Sequence, residues 1–462
     1  MELLLLLLAG SLIFPLAAPA REITNPCTSQ ANDFQHVNGT GMHLPLHHPQ
    51  SPCSPAPLPS DLPFSAVIVH DEARIARLAS RLAKTPSSHP TSLRKSTGGA
   101  HLGDSQATSV PLAPGASVGV GNYVTQLGLS TPATTYAMVV DTGSSLTWLQ
   151  CSPLRGVVPP AGRPALQPAG VHHVRRRAVL GTAVRGAAGR HAQSVRVLHL
   201  RRLHLPGHLR RQLLLGFSLG YLSRDTVSFG SGRFPGFYYG CGQDNEGLFG
   251  RSAGLIGLAR NKLSLLYQLA PSLGDSFSYC LPTTASTGYL SIGSYNPAEY
   301  SYTPMVSSSL DASLYFVRLA SMSVGGNPLA VSPSEYVSLP TIIDSGTVIT
   351  RLPTAVYTAL SKALGAAMGG APRAPAYSIL DTCFKGQVST LRMPAVDMAF
   401  AGGATLKLAP GNVLIDVDES TTCLAFAATD STAIIGNTQQ QTFGVVYDVA
   451  QSRIGFAAGG CS

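Results

Sequence analysis

Long charged side chains are scarce in this sequence: Asp, Glu, Lys and Arg together supply 12% of its 462 residues, against 44% that are hydrophobic. A chain with so little charge and so much apolar surface does not stay solvated as a disordered tail; it buries one large core or two ordinary ones. It also lacks any internal apolar run of the roughly 18–20 residues that span a bilayer, which argues against integral membrane architecture. Its eight cysteines show no CxxC-type spacing, so a metal site has little support. Turn-forming residues are plentiful instead. Forty-seven Gly and 34 Pro favour many short strands over long helices and set coiled coils and bundles aside.

Acid is missing altogether from one stretch. Residues 152–215 hold twelve Arg and no Lys, Asp, Glu, Cys or aromatic residue; taking that +12 from the chain's net +9 leaves the remainder at −3. The overall positive charge is therefore local and gives little support to a basic nucleic-acid-binding fold. Six of the 13 His also lie there, but without Cys or carboxylate partners they make a poor metal tract.

The N-terminus reads as a targeting segment. Residues 1–20 carry a run from Leu3 to Leu8, stay apolar through Leu16 and end Ala18-Pro19-Ala20, a hydrophobic region followed by a small-x-small cleavage site. Glu2 and the lack of Lys or Arg before the run are unusual, yet a cleaved secretory signal fits better than an N-terminal anchor. Secretion would place the cysteines in an oxidising compartment. Residues 21–109 are rich in His, Pro and Ser, include one sequon at Asn38-Gly39-Thr40, and show one clear helix pattern, 71–84, with Ile75, Leu78 and Leu82 on one face and Pro86 as a stop. The segment reads as a propeptide, removed or folded against the mature domain; the plain alternative is a solvated linker.

Past Val110 the texture becomes strand-like. Tyr136-Ala137-Met138-Val139-Val140 runs into Asp141-Thr142-Gly143-Ser144-Ser145, and much later Thr341-Ile342-Ile343 runs into Asp344-Ser345-Gly346-Thr347. One Asp-Ser/Thr-Gly turn means little on its own, since an ordinary Asx turn produces it. Here each copy is followed by an apolar-apolar-Gly element, Leu255-Ile256-Gly257 and Ile434-Ile435-Gly436, so the order of two elements repeats as an internal duplication would produce.

With these residues the chain resembles the pepsin-like aspartic proteases, and most closely their plant, nepenthesin-like branch. The likeness rests on Asp141 through Trp148, on Tyr239-Gly240-Cys241-Gly242, Gly247-Leu248-Phe249-Gly250 and Phe277-Ser278-Tyr279-Cys280, and on Asp344 through Thr347, Asp381-Thr382-Cys383-Phe384, Ile434-Ile435-Gly436-Asn437 and Arg453-Ile454-Gly455-Phe456. It implies a mainly β, bilobal fold with the active cleft between two β-rich lobes, residues 110–302 and 303–462. It further implies a secreted zymogen, an endopeptidase whose catalytic residues are Asp141 and Asp344, one from each lobe. Two carboxylates a few Å apart share one proton, so one acts as general base on a water while the other polarises the scissile carbonyl, with no cofactor or metal required. Gly143 and Gly346 would permit the tight turns, Thr142 and Ser345 would offer hydroxyls that hold the carboxylates coplanar, and Ser144 and Thr347 complete the active-site turns. The resemblance also pairs Cys383 with Cys423 and Cys280 with Cys461, and leaves Cys151 and Cys241 free or bonded to each other. Cys27 and Cys53 form a bond in the pro region or none. The expected partners are polypeptide substrates with apolar residues around the scissile bond, with an acidic optimum; no specific nucleic acid, no membrane and a monomer are expected. The final compartment would be the extracellular space or the vacuole.

The departure from the family is the Arg-rich stretch. The family carries a cysteine-rich insertion there and then the flap, whose Tyr closes over the substrate, but no Tyr occurs here between Tyr136 and Tyr221. Composition of this kind fits a GC-rich coding region read out of frame between two compensating shifts, a reading that detection of the tryptic fragment 178–185 in endogenous protein would exclude. A basic loop that binds an acidic partner is the other option. On this reading the first lobe lacks strands needed to complete its sheets, and a catalytically impaired pepsin-like fold, acting as a protein-binding or inhibitor-type module, is the competing function.

Overall fold

The computed structural model describes residues 42–57, 62–83, 122–151, 217–229, 232–246, 252–293 and 295–461. The anomalous stretch 152–215, where the family carries its flap, lies outside them, as do the signal segment and the sequon. The alternating run after Tyr123 becomes the strand Val124–Leu129, paired antiparallel with Thr134–Asp141. Two longer strands, Phe217–Phe229 and Gly232–Glu246, form a hairpin. That hairpin returns to the first strand through Gly128 opposite Ser228 and Leu129 opposite Val227. With Trp148–Gln150 and Gly254–Gly257 the six strands close into a barrel. The expectation that this lobe lacks strands is therefore corrected: among the described residues the barrel closes with no strand from 152–215, because the hairpin following that stretch is long enough to bridge both neighbours.

The second lobe is built on a five-stranded sheet in the order Phe316–Val317, Thr341–Ile343, Ala433–Ile435, Thr350–Pro353, Phe426–Thr429, with two four-stranded sheets around it. The duplication read in the sequence has a geometric counterpart. Thr134–Asp141 lies parallel to Gly254–Gly257 just as Thr341–Ile343 lies parallel to Ala433–Ile435. In each lobe the strand after the Asp turn crosses antiparallel to that same partner, Trp148 opposite Leu255 and Arg351 opposite Ile434. The glycine of each apolar-apolar-Gly element sits where the chain crosses itself. A Cβ on Gly257 would lie 2.8 Å from the Ser144 carbonyl oxygen, and one on Gly436 2.7 Å from that of Val348. Backbone at that distance cannot yield as a side-chain tip can, so glycine is dictated at both places.

A six-stranded sheet joins segments distant in sequence, in the order Met42–Leu46, Gly288–Ile292, Ser276–Cys280, Gly444–Asp448, Arg453–Ala457, Ser301–Pro304. Its core holds Phe277 stacked on Tyr447 at 4.4 Å between ring centroids, with Tyr315 edge-on at 4.6 Å. Three disulfides are described: Cys280 with Cys461, Cys383 with Cys423, and Cys151 with Cys241, so the last two are bonded to each other rather than free. Cys53 is also disulfide-bonded, whereas Cys27 lies outside the described residues.

The N-terminal helix runs Phe64–Leu82, beginning two turns before the start expected at Asp71. Residues 64–70 include Val67, Ile68 and Val69, β-branched residues that form helices poorly, and this hides the start from a sequence pattern. Burial decides otherwise. Val67 and Ile68 pack with Val348, Ile349, Leu380 and Val417, and Leu78 and Leu82 pack with Leu314, Phe316, Ile342 and Ile434. Ile75 joins the latter group, as its spacing predicts. Among the described residues no helix is long and apolar enough to cross a membrane.

Candidate active site

Each Asp turn leaves the end of a buried strand, and the two turns meet. Thr142 N donates to Ser345 Oγ at 3.2 Å, and Ser345 N donates to Thr142 Oγ1 at 2.9 Å. These reciprocal bonds tie the turns together across a sequence separation of 203 residues. The expected role of Thr142 and Ser345 as the hydroxyls that orient the carboxylates is thus only partly met: Thr142 Oγ1 reaches Asp344 Oδ1 at 3.3 Å, and the close donors stand two residues further along each turn. Ser144 Oγ donates to Asp141 Oδ2, Gly143 N donates to Asp141 Oδ1 at 2.9 Å, and Thr347 Oγ1 donates to Asp344 Oδ2 at 2.6 Å. Both aspartates are wholly buried.

Neither Gly143 nor Gly346 has a positive φ, and both stand close against side chains of the site. A Cβ on Gly143 would stand 2.8 Å from Asp344 Oδ1, and one on Gly346 would collide with the Arg74 guanidinium. Beneath the Asp344 turn, Gln440 Nε2 donates to the carbonyls of Asp344, Ile435 and Gly436 at 3.3, 3.0 and 3.0 Å. Asn437 Nδ2 donates to the Ser345 carbonyl at 3.0 Å. The turn is therefore held by side chains of the Asn437–Gln440 helix and not by its own sequence alone.

The space between the two carboxylates is occupied by a guanidinium. Arg74, from the middle of the Phe64–Leu82 helix, donates through Nη2 to Asp141 Oδ1 at 2.5 Å and to Asp344 Oδ1 at 2.8 Å. Its Nε donates to Asp344 Oδ2 at 2.8 Å and its Nη1 to Asp141 Oδ2 at 3.2 Å. Arg74 is itself 2% exposed. Burial alone would push the Asp141 carboxyl up, but the Arg74 charge and the hydrogen bonds from Arg74, Ser144 and Gly143 outweigh it and hold the carboxyl below its ordinary value. Arg74 is correspondingly raised against its own burial by the two carboxylates.

Asp71 and Arg81 of the same helix also bond to the second lobe and to the turns. Asp71 lies mid-helix, not at its start, and accepts from Val348 N at 2.6 Å and from Ile349 N at 3.3 Å while pairing with Arg351 Nη2 at 3.0 Å. Its burial raises its pKa in spite of Arg351, both backbone donors and Arg74. Arg81 donates to the Gly143 carbonyl at 2.8 Å. Motif reasoning missed all three, because it follows the Asp turns and not what covers them. A signal was present nonetheless: Asp71 and Arg74 fall on the same stripe as Ile75, Leu78 and Leu82, and charge within an apolar stripe calls for a buried partner. Among the described residues no three His, Cys, Asp or Glu side chains gather as metal ligands would.

Known proteins resemble this chain in sequence and in fold. Family models described as Xylanase inhibitor N-terminal and Xylanase inhibitor C-terminal match residues 123–177 with 213–294, and residues 314–458. Aspartyl protease AED1 of Arabidopsis thaliana is 32% identical over 446 residues, covering 94% of this chain and 90% of that protein. Aspartic proteinase nepenthesin-2 of Nepenthes gracilis is 30% identical over 368 residues, covering 74% and 78% respectively. Among solved structures, basic 7S globulin from soybean has the same fold at a TM-score of 0.53 and 19% identity, covering 75% of this chain and 94% of its own. With two Asp turns interlocked at the meeting of two β-rich lobes, and relatives of this identity along most of its length, the chain belongs to the plant pepsin-like aspartic protease family.

Proposed function

We propose that the chain is an aspartic endopeptidase made in a latent form, with Asp141 and Asp344 as its catalytic pair and the Phe64–Leu82 helix as the part of a propeptide that fills the cleft. The observation that carries this reading is the set of four hydrogen bonds from one guanidinium to both carboxylates, each carboxylate also held by a hydroxyl. A site that brings two buried carboxylates within reach of one small planar group is sized for a water between them.

In the latent chain Arg74 neutralises the pair and stands where that water and the scissile carbonyl must enter. When the helix leaves, two uncompensated carboxylates remain in a buried site, and they relieve their repulsion by sharing a proton, as is known for aspartic-protease dyads. The ionised member takes a proton from water as the water attacks the peptide carbonyl. The protonated member hydrogen-bonds the carbonyl oxygen and stabilises the charge developing there. Proton return to the leaving nitrogen then breaks the C–N bond and restores the pair. Half-protonation is needed, so activity belongs at acidic pH. Secretion to the extracellular space or the vacuole is part of the same proposal, supported by the signal-like N-terminus and by three described disulfides, which form and persist in oxidising compartments.

The test is cleavage of an acid-denatured protein by the full chain from residue 21, beside an Asp141→Ala control. Activity present in wild type and lost in the control is expected. A folded wild type as inert as the control would overturn the reading.

A further inference from the structure

The covering helix carries a further arginine, Arg81, into the cleft, and neutralising the dyad does not require it. Arg81 donates through Nη1 to the Gly143 carbonyl at 2.8 Å, through Nε to Asp311 Oδ2 at 2.9 Å and through Nη2 to Ser313 Oγ at 2.8 Å. The same Nη2 lies 2.8 Å from Asp311 Oδ2. Ser313 fixes the acceptor, donating to Asp311 Oδ1 through its N at 2.9 Å and its Oγ at 2.6 Å. Gly143 is part of the dyad turn, since its own N donates to Asp141 Oδ1. The guanidinium therefore spans from the turn that holds one catalytic carboxylate to a carboxylate at the start of the second lobe. Two donors of a planar fork converging on one oxygen, with a neighbouring hydroxyl as a further acceptor, is a geometry that guanidinium satisfies and ammonium satisfies less well.

Once the helix has left, a substrate occupies the same groove, and Asp311 remains as an oriented carboxylate without its cation. Arg74 and Arg81 are seven residues apart in one helix, about 10 Å at a rise of 1.5 Å per residue. An extended substrate advances about 3.3 Å per residue, so the place that Arg81 takes lies about three residues at most from the bond held at the dyad. We propose that Asp311, oriented by Ser313, is a specificity-determining residue that selects polypeptides carrying an arginine, and less well a lysine, within three residues of the scissile bond. Arg81 is then a built-in mimic of that substrate side chain. This inference rests on the reading of the chain as a protease latent under its own helix.

The test uses acid-activated full chain and peptides that differ at one position only, arginine against its neutral isostere citrulline, scanned through three positions on each side of an apolar scissile pair. At one position the arginine peptide should exceed the citrulline peptide in kcat/KM by about tenfold, the worth of one charge-assisted pair. Asp311→Asn should bring that ratio to within about twofold of unity, and Asp311→Lys should turn the preference toward glutamate at the same position. Ser313→Ala keeps the charge but frees the carboxylate, and should lower the ratio partway, which gives a second reading if Asp311→Asn does not accumulate. A ratio near one at every position, or a preference that survives Asp311→Asn, overturns the inference while leaving the protease reading intact. Failure of folded wild type to cleave any peptide above an Asp141→Ala control overturns the protease reading, and this inference with it.

Discussion

Replacing Arg74 by alanine should release the helix at neutral pH, where the wild-type chain holds it. The guanidinium makes four hydrogen bonds to two carboxylates that are 0% exposed, and is itself 2% exposed. Removing one partner of a buried ion pair costs about 3–5 kcal/mol, because the charge left behind is uncompensated. Here the dyad recovers part of that by taking up a proton, so the lower end applies, about 3 kcal/mol, or a factor of roughly 150 in the docking equilibrium at 1.36 kcal/mol per decade. Amide hydrogen exchange on the full chain at pH 7 reads this directly. Amides of the Phe64–Leu82 helix should exchange roughly 100-fold faster in Arg74→Ala, while those of Ala433–Ile435, buried in the second lobe, keep their protection. The lag before activity appears on shifting the chain to acid should shorten in step. Arg74→Lys should fall between, since an ammonium keeps the charge but cannot present the fork that spans both carboxylates. Unchanged exchange and unchanged lag in Arg74→Ala would refute the reasoning and leave the helix held by its apolar contacts alone.

Acid should release the segment in the wild type, and the sign follows from the groups involved. Asp141 is held below its ordinary value while Arg74 is seated, so the docking stabilisation it supplies is complete above the carboxyl range of the open cleft and is lost as pH falls toward the docked value. His48 adds to this: burial against Tyr123 lowers it from 6.5 to about 4, so the neutral form is required and its contribution fades over that window as pH falls. Asp71 has the opposite sign, because its raised value means that acid removes a burial penalty. Asp71→Asn, which removes that penalty at every pH, should therefore move the release midpoint, followed by helix exchange against pH, downward, and His48→Phe should move it downward as well by keeping the ring contact without the titration. Cys383→Ser with Cys423→Ser opens a loop of 40 residues, and the chain-entropy estimate for a loop of that length is about 4 kcal/mol, readable as a fall in denaturant midpoint. Gly436→Ala should cost about 1–3 kcal/mol and loosen the Asp344 turn, because its Cβ would meet the Val348 carbonyl at 2.7 Å; a stable, fully active variant would show that the crossing is not tight.

The fold class and the two aspartates were legible because their determinants are local and repeated. An apolar strand ending in Asp, a small turn, and an apolar-apolar-Gly strand must occur together for the chain to cross itself as it does at Gly257 and Gly436, and both copies lie within reach of a pattern. Barrel closure was misjudged for the reverse reason. It depends on how far the Phe217–Phe229 and Gly232–Glu246 hairpin extends, and the length of a strand's pairing is set by its neighbours rather than by its own composition. The helix start at Phe64 was hidden because tertiary burial of Val67 and Ile68 overrides the poor helix propensity of a β-branched run. What covers the dyad was hidden most completely. Arg74 meets Asp141 across 67 residues and Asp344 across 270, and no periodicity connects them. The one trace such a contact leaves in a sequence is a violation, a charge set into an apolar stripe where burial without a partner would cost several kcal/mol. Charged residues at core positions of a helix flanking two Asp-Ser/Thr-Gly turns are thus best read as addressed to those turns, and the opposite sign of charge, arginine toward paired carboxylates, is what electrostatics requires of any segment that covers them.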